Sequence, residues 1–416
     1  MKVLYIYFGG NFSWTSSGVQ KKVISKVNAI NELGHHCDCI SFSSNIEEEV
    51  KIGSHIRVFP ITKSKRQKFF NTLREQQDYY VSLIAWLKNN IQNYDVLIMR
   101  YPLASKGLSQ LVETYSKKIV FEHNTKELEE VLITQKQDRK KNAFAFKPGF
   151  FFYYLEIGLL PYLFEKYFAP KIFKHALLGV SVTKEIATYE SNRCVGYQNK
   201  VITNGIDVDS CSLRLENEIV NNEINLFILT GGNVPWHGVE RIISGIKNYK
   251  GSANISVDII GSFSTSQVQM ALELGVDTKI NFIPHIEYSL LTNHLNKYHA
   301  GIGTLAAFRK GLKEASPLKV REYFARGFAC VVGYEDTDIN EYKEFDSYVL
   351  KVPADESPLD FYQIETFVKQ LYTDKKHHLK IRELATRFLD TKVKMRQLTD
   401  ILKSLDIQRN KVVISS

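Results

Sequence analysis

Two glutamates, Glu314 and Glu322, bracket a serine–proline step at Ser316 and Pro317. Serine caps helices and proline suits the first helical position, so a helix is expected to start there. A helix start presents free backbone N–H groups and the positive end of a dipole, which suits a diphosphate. Arg309, Lys310 and Lys313 stand just upstream, where they could add positive charge. Glu314 precedes the cap, and Glu322 is expected roughly 9 Å along the helix axis at about 1.5 Å per residue. One carboxylate would then sit near the phosphate end and the other farther back, natural partners for sugar and ribose hydroxyls. The same residues also describe a charged, solvated amphipathic helix with Leu318, Tyr323 and Phe324 facing a core.

Such residues need a scaffold, and the chain supplies the pattern of one. Short apolar runs at Val3–Phe8, Cys37–Phe42, Asp95–Met99, Lys118–Phe121 and Leu177–Val182 alternate with amphipathic stretches such as Gly18–Leu33 and Asn71–Ile91. A second round begins near Ile224, with runs at Leu226–Leu229, Ser256–Ile260, Lys279–Ile283, Gly301–Thr304 and Phe328–Val332. Continuous apolar runs read as buried parallel strands, and two rounds of βα units predict an α/β protein of two doubly wound, Rossmann-like domains. An Asn204-Gly205 turn and the polar stretch to Asn222 mark the hinge. The expected domains are 1–203 and 204–385, with a charged helical tail over 386–416 packing back on the first. Ligands of such sheets bind at the carboxyl ends of strands, so a cleft between facing domains is the expected site. His123 and Arg100 both follow strands at that edge, and Gly18 opens the first helix, where a glycine permits close backbone approach.

A series of short motifs, in fixed order, resembles the retaining glycosyltransferases of family 4, which have the GT-B fold. Glu314 and Glu322 match the family's pair of glutamates at a helix start in the C-terminal domain, and Pro317 through Gly327 follow its usual wording around the second. Gly9-Gly10 and Ser17-Gly18 resemble its glycine-bearing first loop, and Leu33-Gly34-His35 the close of its first helix. Val201 through Asp207 resemble the interdomain turn, and Trp236-His237-Gly238 the opening of the second domain's first helix. The resemblance runs over residues 1–405.

This resemblance implies a nucleoside-diphosphate sugar as donor, with no other cofactor and no metal. It implies a hexosyltransferase-type enzyme that retains anomeric configuration and serves a glycan or lipid-linked acceptor in bacterial cell-surface polysaccharide synthesis. Glu322 would bind the ribose hydroxyls, and Glu314 would contact the donor sugar near the reacting centre. The amides around Ala315, Ser316 and Leu318 would face the diphosphate or sugar, and His123 would touch the donor sugar. Gly232 and His237 lie in the loop where the family supplies an arginine and a lysine; this loop has no arginine, and His237 stands at the lysine's place. Arg309 and Lys310 are therefore expected to supply the missing charge. Gly18 and Arg100 are assigned to the acceptor or phosphate. Asp336 and Asp338 look like the metal-binding pair of the other large glycosyltransferase fold but follow a strand as a turn, and are read as structural.

Composition bounds these expectations. The chain has 416 residues, 44% of them hydrophobic, and a formal charge of +9, which suits an anionic partner. Its five cysteines are scattered, without the paired spacing of a zinc site, and read as reduced thiols of a cytoplasmic protein. No run has the length of a membrane-spanning helix. The segment 142–168 is strongly aromatic and follows Lys136, Arg139, Lys140 and Lys141. It reads either as an interfacial element on an anionic membrane surface or as a helical excursion packed on the first domain. Two other classes remain: a GT-B nucleotide-sugar epimerase, and a non-catalytic nucleotide-sugar-binding protein at a membrane surface. The basic residues are dispersed rather than gathered into a stripe, which argues against nucleic acid.

Overall fold

The computed structural model describes residues 1–8, 18–61, 71–130, 132–133 and 159–414. Gly9, Gly10, Ser17 and most of the aromatic segment 142–168 lie outside them. The chain forms two compact units, Met1–Ile202 with Met395–Ser416, and Thr203–Lys394. The sequence reading grouped 386–394 with the tail; here those residues belong to the second unit.

The first unit contains β1 (Lys2–Ile6), α1 (Gly18–Glu32), β2 (His36–Ser43), β3 (Val50–Ile52), β4 (Ile56–Pro60), α2 (Asn71–Asn90), β5 (Val96–Arg100), α3 (Lys106–Thr114), β6 (Ile119–His123), α4 (Leu160–His175), β7 (Leu178–Ser181), α5 (Lys184–Ser191) and β8 (Asn199–Val201). Its sheet runs β3-β4-β2-β1-β5-β6-β7-β8, with every pairing parallel except β3 with β4. Successive residues of a strand face opposite sides. Leu4, Ile6, Leu97 and Met99 thus join one core with Tyr80, Leu108 and Phe173, while Val3, Tyr5, Val96 and Ile98 join another with Val23, Val27 and Ile30. Ser105 and Thr183 cap α3 and α5 by accepting backbone N–H bonds, which fixes where those helices leave the sheet edge.

The second unit holds β9 (Glu223–Thr230), α6 (Val239–Asn248), β10 (Asn254–Gly261), α7 (Thr265–Glu273), β11 (Ile280–Ile283), α8 (Tyr288–Leu295), β12 (Ala300–Ile302), α9 (Leu318–Ala325), β13 (Cys330–Val332), α10 (Thr337–Glu341), β14 (Val349–Lys351), α11 (Phe361–Leu371), α12 (His377–Leu384) and the start of α13 (Thr391–Ile414). Its sheet is parallel, ordered β11-β10-β9-β12-β13-β14. The first and fourth strands of the unit are neighbours at its centre, so the direction of winding reverses between β9 and β12. Doubly wound sheets open a crevice at such a switch point, beyond the carboxyl ends of the strands.

A buried ion cluster fastens α9 in place. Arg321 is fully buried. Its guanidinium donates to both carboxylate oxygens of Asp336, to Asp338 at 2.9 Å and to the Asn204 carbonyl at 3.3 Å. Lys394 adds a 2.7 Å bond to Asp338. Asp336 and Asp338 are thus bound to cations of the chain itself, as a structural turn requires. Removing one member of such a cluster leaves dry, uncompensated charge, at a cost of about 3–5 kcal/mol. Arg321→Ala is expected to lose about that much stability in urea unfolding; a loss below roughly 1 kcal/mol would contradict the role given to the cluster.

Candidate functional site

The carboxyl ends of β9 and β12 carry two loops that meet. After β9, Gly231 and Gly232 lead to a 3-10 turn at Pro235–His237 and then to Gly238, whose φ of 70° is left-handed. A Cβ at Gly238 would lie 2.9 Å from the Cβ of Leu305, so glycine is required by both conformation and space. The second loop accepts that approach: the Ala306 N–H donates to the Trp236 carbonyl at 3.1 Å. A Cβ at Gly232 would meet only Val234, at 3.9 Å, so packing alone does not demand glycine there.

The helix start differs from the sequence expectation. Ser316 is not the cap. Pro317 holds extended dihedrals (φ −74°, ψ 136°), so α9 begins at Leu318, and no side chain caps it. The Ser316 hydroxyl instead accepts the Asn204 backbone N–H at 2.9 Å, and the Asn204 amide donates to the Ser316 carbonyl at 2.5 Å. The first amides of an α-helix have no partner within it, and here no capping side chain takes them. Glu322 consequently stands closer than expected, about 6 Å along the axis from Leu318.

The loop before α9 is strapped to the strand end beside it. The Ala315 N–H donates to the Glu335 carbonyl, and the Glu335 N–H to the Lys313 carbonyl, both at 3.0 Å, so Glu314 is held in a short bridge. Glu314 and Leu318 are half-buried. Glu322 accepts Arg326 at 3.0 and 2.9 Å, with both contacts on Oε1. Arg326 is fixed in turn by Thr292 and lies against the Tyr288 ring.

Arg309 and Lys310 both lie against the β9 loop, each held by other contacts. The Arg309 guanidinium is bound to Glu356, to Glu240 and to the Pro235 carbonyl. Lys310 lies over the Trp236 ring, with Nζ 4.3 Å from its centre. A further cation at this loop is one the sequence reading passed over, Lys319. It lies in the first turn of α9, with Nζ 3.0 Å from Nδ1 of His237. Burial and the neighbouring Lys319 hold the His237 imidazole down to about 3, so His237 carries no charge at neutral pH. Burial also pushes the Lys319 ammonium down to about 7. The sequence signal was Lys319 itself, two positions past Pro317, the expected first helical residue, where a basic residue opposes the helix dipole.

In the first unit, Arg100 is exposed at the carboxyl end of β5, and Gly18 is the exposed first residue of α1, where an added Cβ would meet no described atom within 4 Å. His123 does end β6, as expected, but its side chain is 0% exposed. Tyr101, Phe173 and Tyr197 enclose the ring, and Tyr197 Oη is 3.0 Å from Nε2. That enclosure removes it from direct contact with a sugar, and burial lowers its pKa to about 4. Burial pushes two neighbouring carboxyls the other way, Glu127 to about 8 and Glu190 to about 7. All five cysteines are free thiols.

No family model and no curated protein sequence matches this chain. Solved structures do match it along nearly its whole length. Sucrose-phosphate synthase from Thermosynechococcus elongatus aligns with a TM-score of 0.65 at 11% identity, covering 98% of this chain and 100% of the other. HepE from Anabaena in complex with UDP aligns at 0.61 and 12%, covering 97% and 100%. WaaG, a glycosyltransferase involved in lipopolysaccharide biosynthesis, aligns at 0.58 and 14%, covering 96% and 99%. The chain has the GT-B fold, two Rossmann-like α/β units.

Lys319 also makes stability depend on pH. The unfolded chain keeps its proton up to the ordinary value of 10.5, whereas the folded chain releases it near 7. The unfolded state therefore binds more protons between about pH 7 and 10.5, and stability from this group rises with pH across that window. Urea unfolding at pH 7, 8 and 9 is expected to show a smaller rise for Lys319→Met than for the unchanged chain. Equal slopes would remove the pH dependence from Lys319.

Proposed function

We propose that this protein is a retaining glycosyltransferase that takes a nucleoside-diphosphate sugar as donor and needs no metal at that site. The carrying observation is the uncapped start of α9 at the sheet's switch point, with Lys319 in its first turn and Glu314 and Glu322 on either side. The GT-B fold, shared with a structure that holds UDP, supports the same reading.

In this reading the diphosphate lies against the first amides of α9 and the Lys319 ammonium. Glu322 turns Oε2 to the ribose hydroxyls while Arg326 holds Oε1. Glu314 meets the donor sugar, and Gly232 lets the β9 loop approach the phosphates. During transfer the bond from the anomeric carbon to the phosphate oxygen breaks, and negative charge grows on the leaving diphosphate. Fixed N–H dipoles and an ammonium stabilise that charge without reorganising. The acceptor oxygen attacks from the same face, and its proton passes to the departing phosphate oxygen, which gives retention. Arg100 and Gly18 are assigned to the acceptor.

The acceptor reading is a glycan or lipid-linked sugar of bacterial cell-surface polysaccharide synthesis, met at the inner face of an anionic membrane. One helix supports it. Leu159, Leu163 and Tyr167 recur at a four-residue spacing, on and just before α4, and are 50%, 46% and 62% exposed. Lys166 and Lys171 lie close to the rings of Tyr162 and Tyr167. An apolar stripe edged by lysines suits the headgroup boundary. Among the described residues, no helix is long and apolar enough to cross a membrane.

A thermal-shift panel of nucleotide sugars is expected to pick out one donor; stabilisation by none of them would sink the proposal. With that donor, Lys319→Ala is expected to raise donor KM about 10- to 100-fold, the worth of one charge-assisted hydrogen bond. Arg309→Ala should change it far less, and the reverse ranking would return the phosphate to Arg309. Product of inverted anomeric configuration would overturn retention, and an epimerised donor formed without acceptor would identify an epimerase. Vesicles containing phosphatidylglycerol should carry the protein upward in flotation, and Leu163→Glu with Tyr167→Glu should release it. Flotation unchanged by that pair would clear α4 of the membrane role.

A further inference from the structure

At the carboxyl edge of the first unit's sheet, three chemistry-bearing side chains converge. His123 ends β6, Glu127 opens the helical turn 127–130, and Glu190 lies on α5. One ligand atom from each lies within 4.8 Å of the others. His123 Nδ1 is 3.5 Å from Glu127 Oε2 and 3.8 Å from Glu190 Oε2. All three residues are buried.

The polar atoms at the centre have nothing else to bind. His123 Nδ1, both carboxylate oxygens of Glu127, and Oε1 of Glu190 have no hydrogen-bond partner among the described residues. Arg193 does not answer this need for Glu127. Its guanidinium is committed to Glu190, at 2.8 Å, and to Glu165. Two carboxylates in a buried pocket, one of them without an ion-pair cation among the described residues, are strongly unfavourable unless something positive joins them.

The surroundings set the ring as a ligand. Tyr197 Oη lies 3.0 Å from Nε2 of His123. When Nε2–H donates to that oxygen, the Nδ1 lone pair points between the carboxylates. Ligating histidines are generally held this way, by a bond from the second ring nitrogen. Arg193 holds Glu190 through Oε2 and leaves Oε1 unpartnered among the described residues. Ligand atoms about 2.1 Å from a tetrahedral ion stand about 3.4 Å apart, close to the 3.5 Å between Nδ1 and Glu127 Oε2.

We infer that His123, Glu127 and Glu190 form a binding site for one divalent transition-metal ion, with the ion tying β6, the turn 127–130 and α5 together. One imidazole and two carboxylates suit zinc or manganese. The ion's two charges match the two carboxylates, while Arg193 offsets Glu165. The role is structural, and it does not depend on the donor-site reading.

Full-length protein, purified without chelator and then exchanged into EDTA, tests this. Apo protein titrated calorimetrically with Zn²⁺ and with Mn²⁺ is expected to take up about one equivalent of one of them, with a higher melting temperature. Glu127→Gln, which keeps shape and removes charge, should weaken that binding at least tenfold while circular dichroism stays native. Unchanged chain that binds neither ion, and melts identically with EDTA or metal, would overturn the inference and leave protons as the neutralising species. Binding that survives both Glu127→Gln and Glu190→Gln would place the ion elsewhere and also overturn it. Should both variants fail to fold, the unchanged chain decides by itself.

Discussion

A cation removed from water must be matched by charge and hydrogen bonds, and Arg321 shows how much of the second unit that requirement organises. Its guanidinium gathers the turn after β13 through Asp336 and Asp338, and the chain at Asn204 through a carbonyl. These partners come from positions far apart in sequence, and all converge on the second turn of α9. The helix cannot slide or rotate without leaving charge unpaired. Its first turn, a few ångströms away, inherits that rigidity, as does the Ser316–Asn204 pair beside it. The fixed position of the helix start is therefore a property of a buried ion cluster behind it.

The same structure shows that positive charge can change address while the geometry around it persists. The loop after β9 keeps its glycines and its contact with the β12 loop, yet its histidine is neutral. Arg309, the arginine expected to serve that loop, has its charge taken up by Glu240 and Glu356. Lys319 reaches the same place from the helix. Burial there weakens its hold on the proton, so its charge responds to pH where an arginine's would not.

Much of this was legible in the sequence. The apolar runs at Val3, Cys37, Leu226 and Ser256 are strands because both faces of a parallel sheet are covered, and such burial leaves a continuous pattern. Glu314 and Glu322 were visible by spacing around a helix start. The direction of side chains was not. Ser316 looks like a cap until Pro317 is seen in extended conformation, and Arg309 looks available until residues 69 and 47 positions away claim it. Lys319 reads as one more charge on an amphipathic helix, since its meeting with His237 spans 82 positions. His123 was correctly placed at a strand end, but Tyr101, Phe173 and Tyr197, which enclose it, arrive from other elements.

The final helix, α13, has a consequence for how the molecule is made. Met395, Leu398 and Leu402 fill the same core as Val23, Val27 and Ile30, so the first unit's interior is finished by residues that follow the whole second unit in sequence. Domains of most nascent chains condense in order as they emerge from the ribosome. Here the amino-terminal sheet emerges early with one apolar face incomplete, and must wait for the whole intervening unit to be translated before that face closes. A chain that stops within the second unit would therefore lack the residues that close the first unit's core.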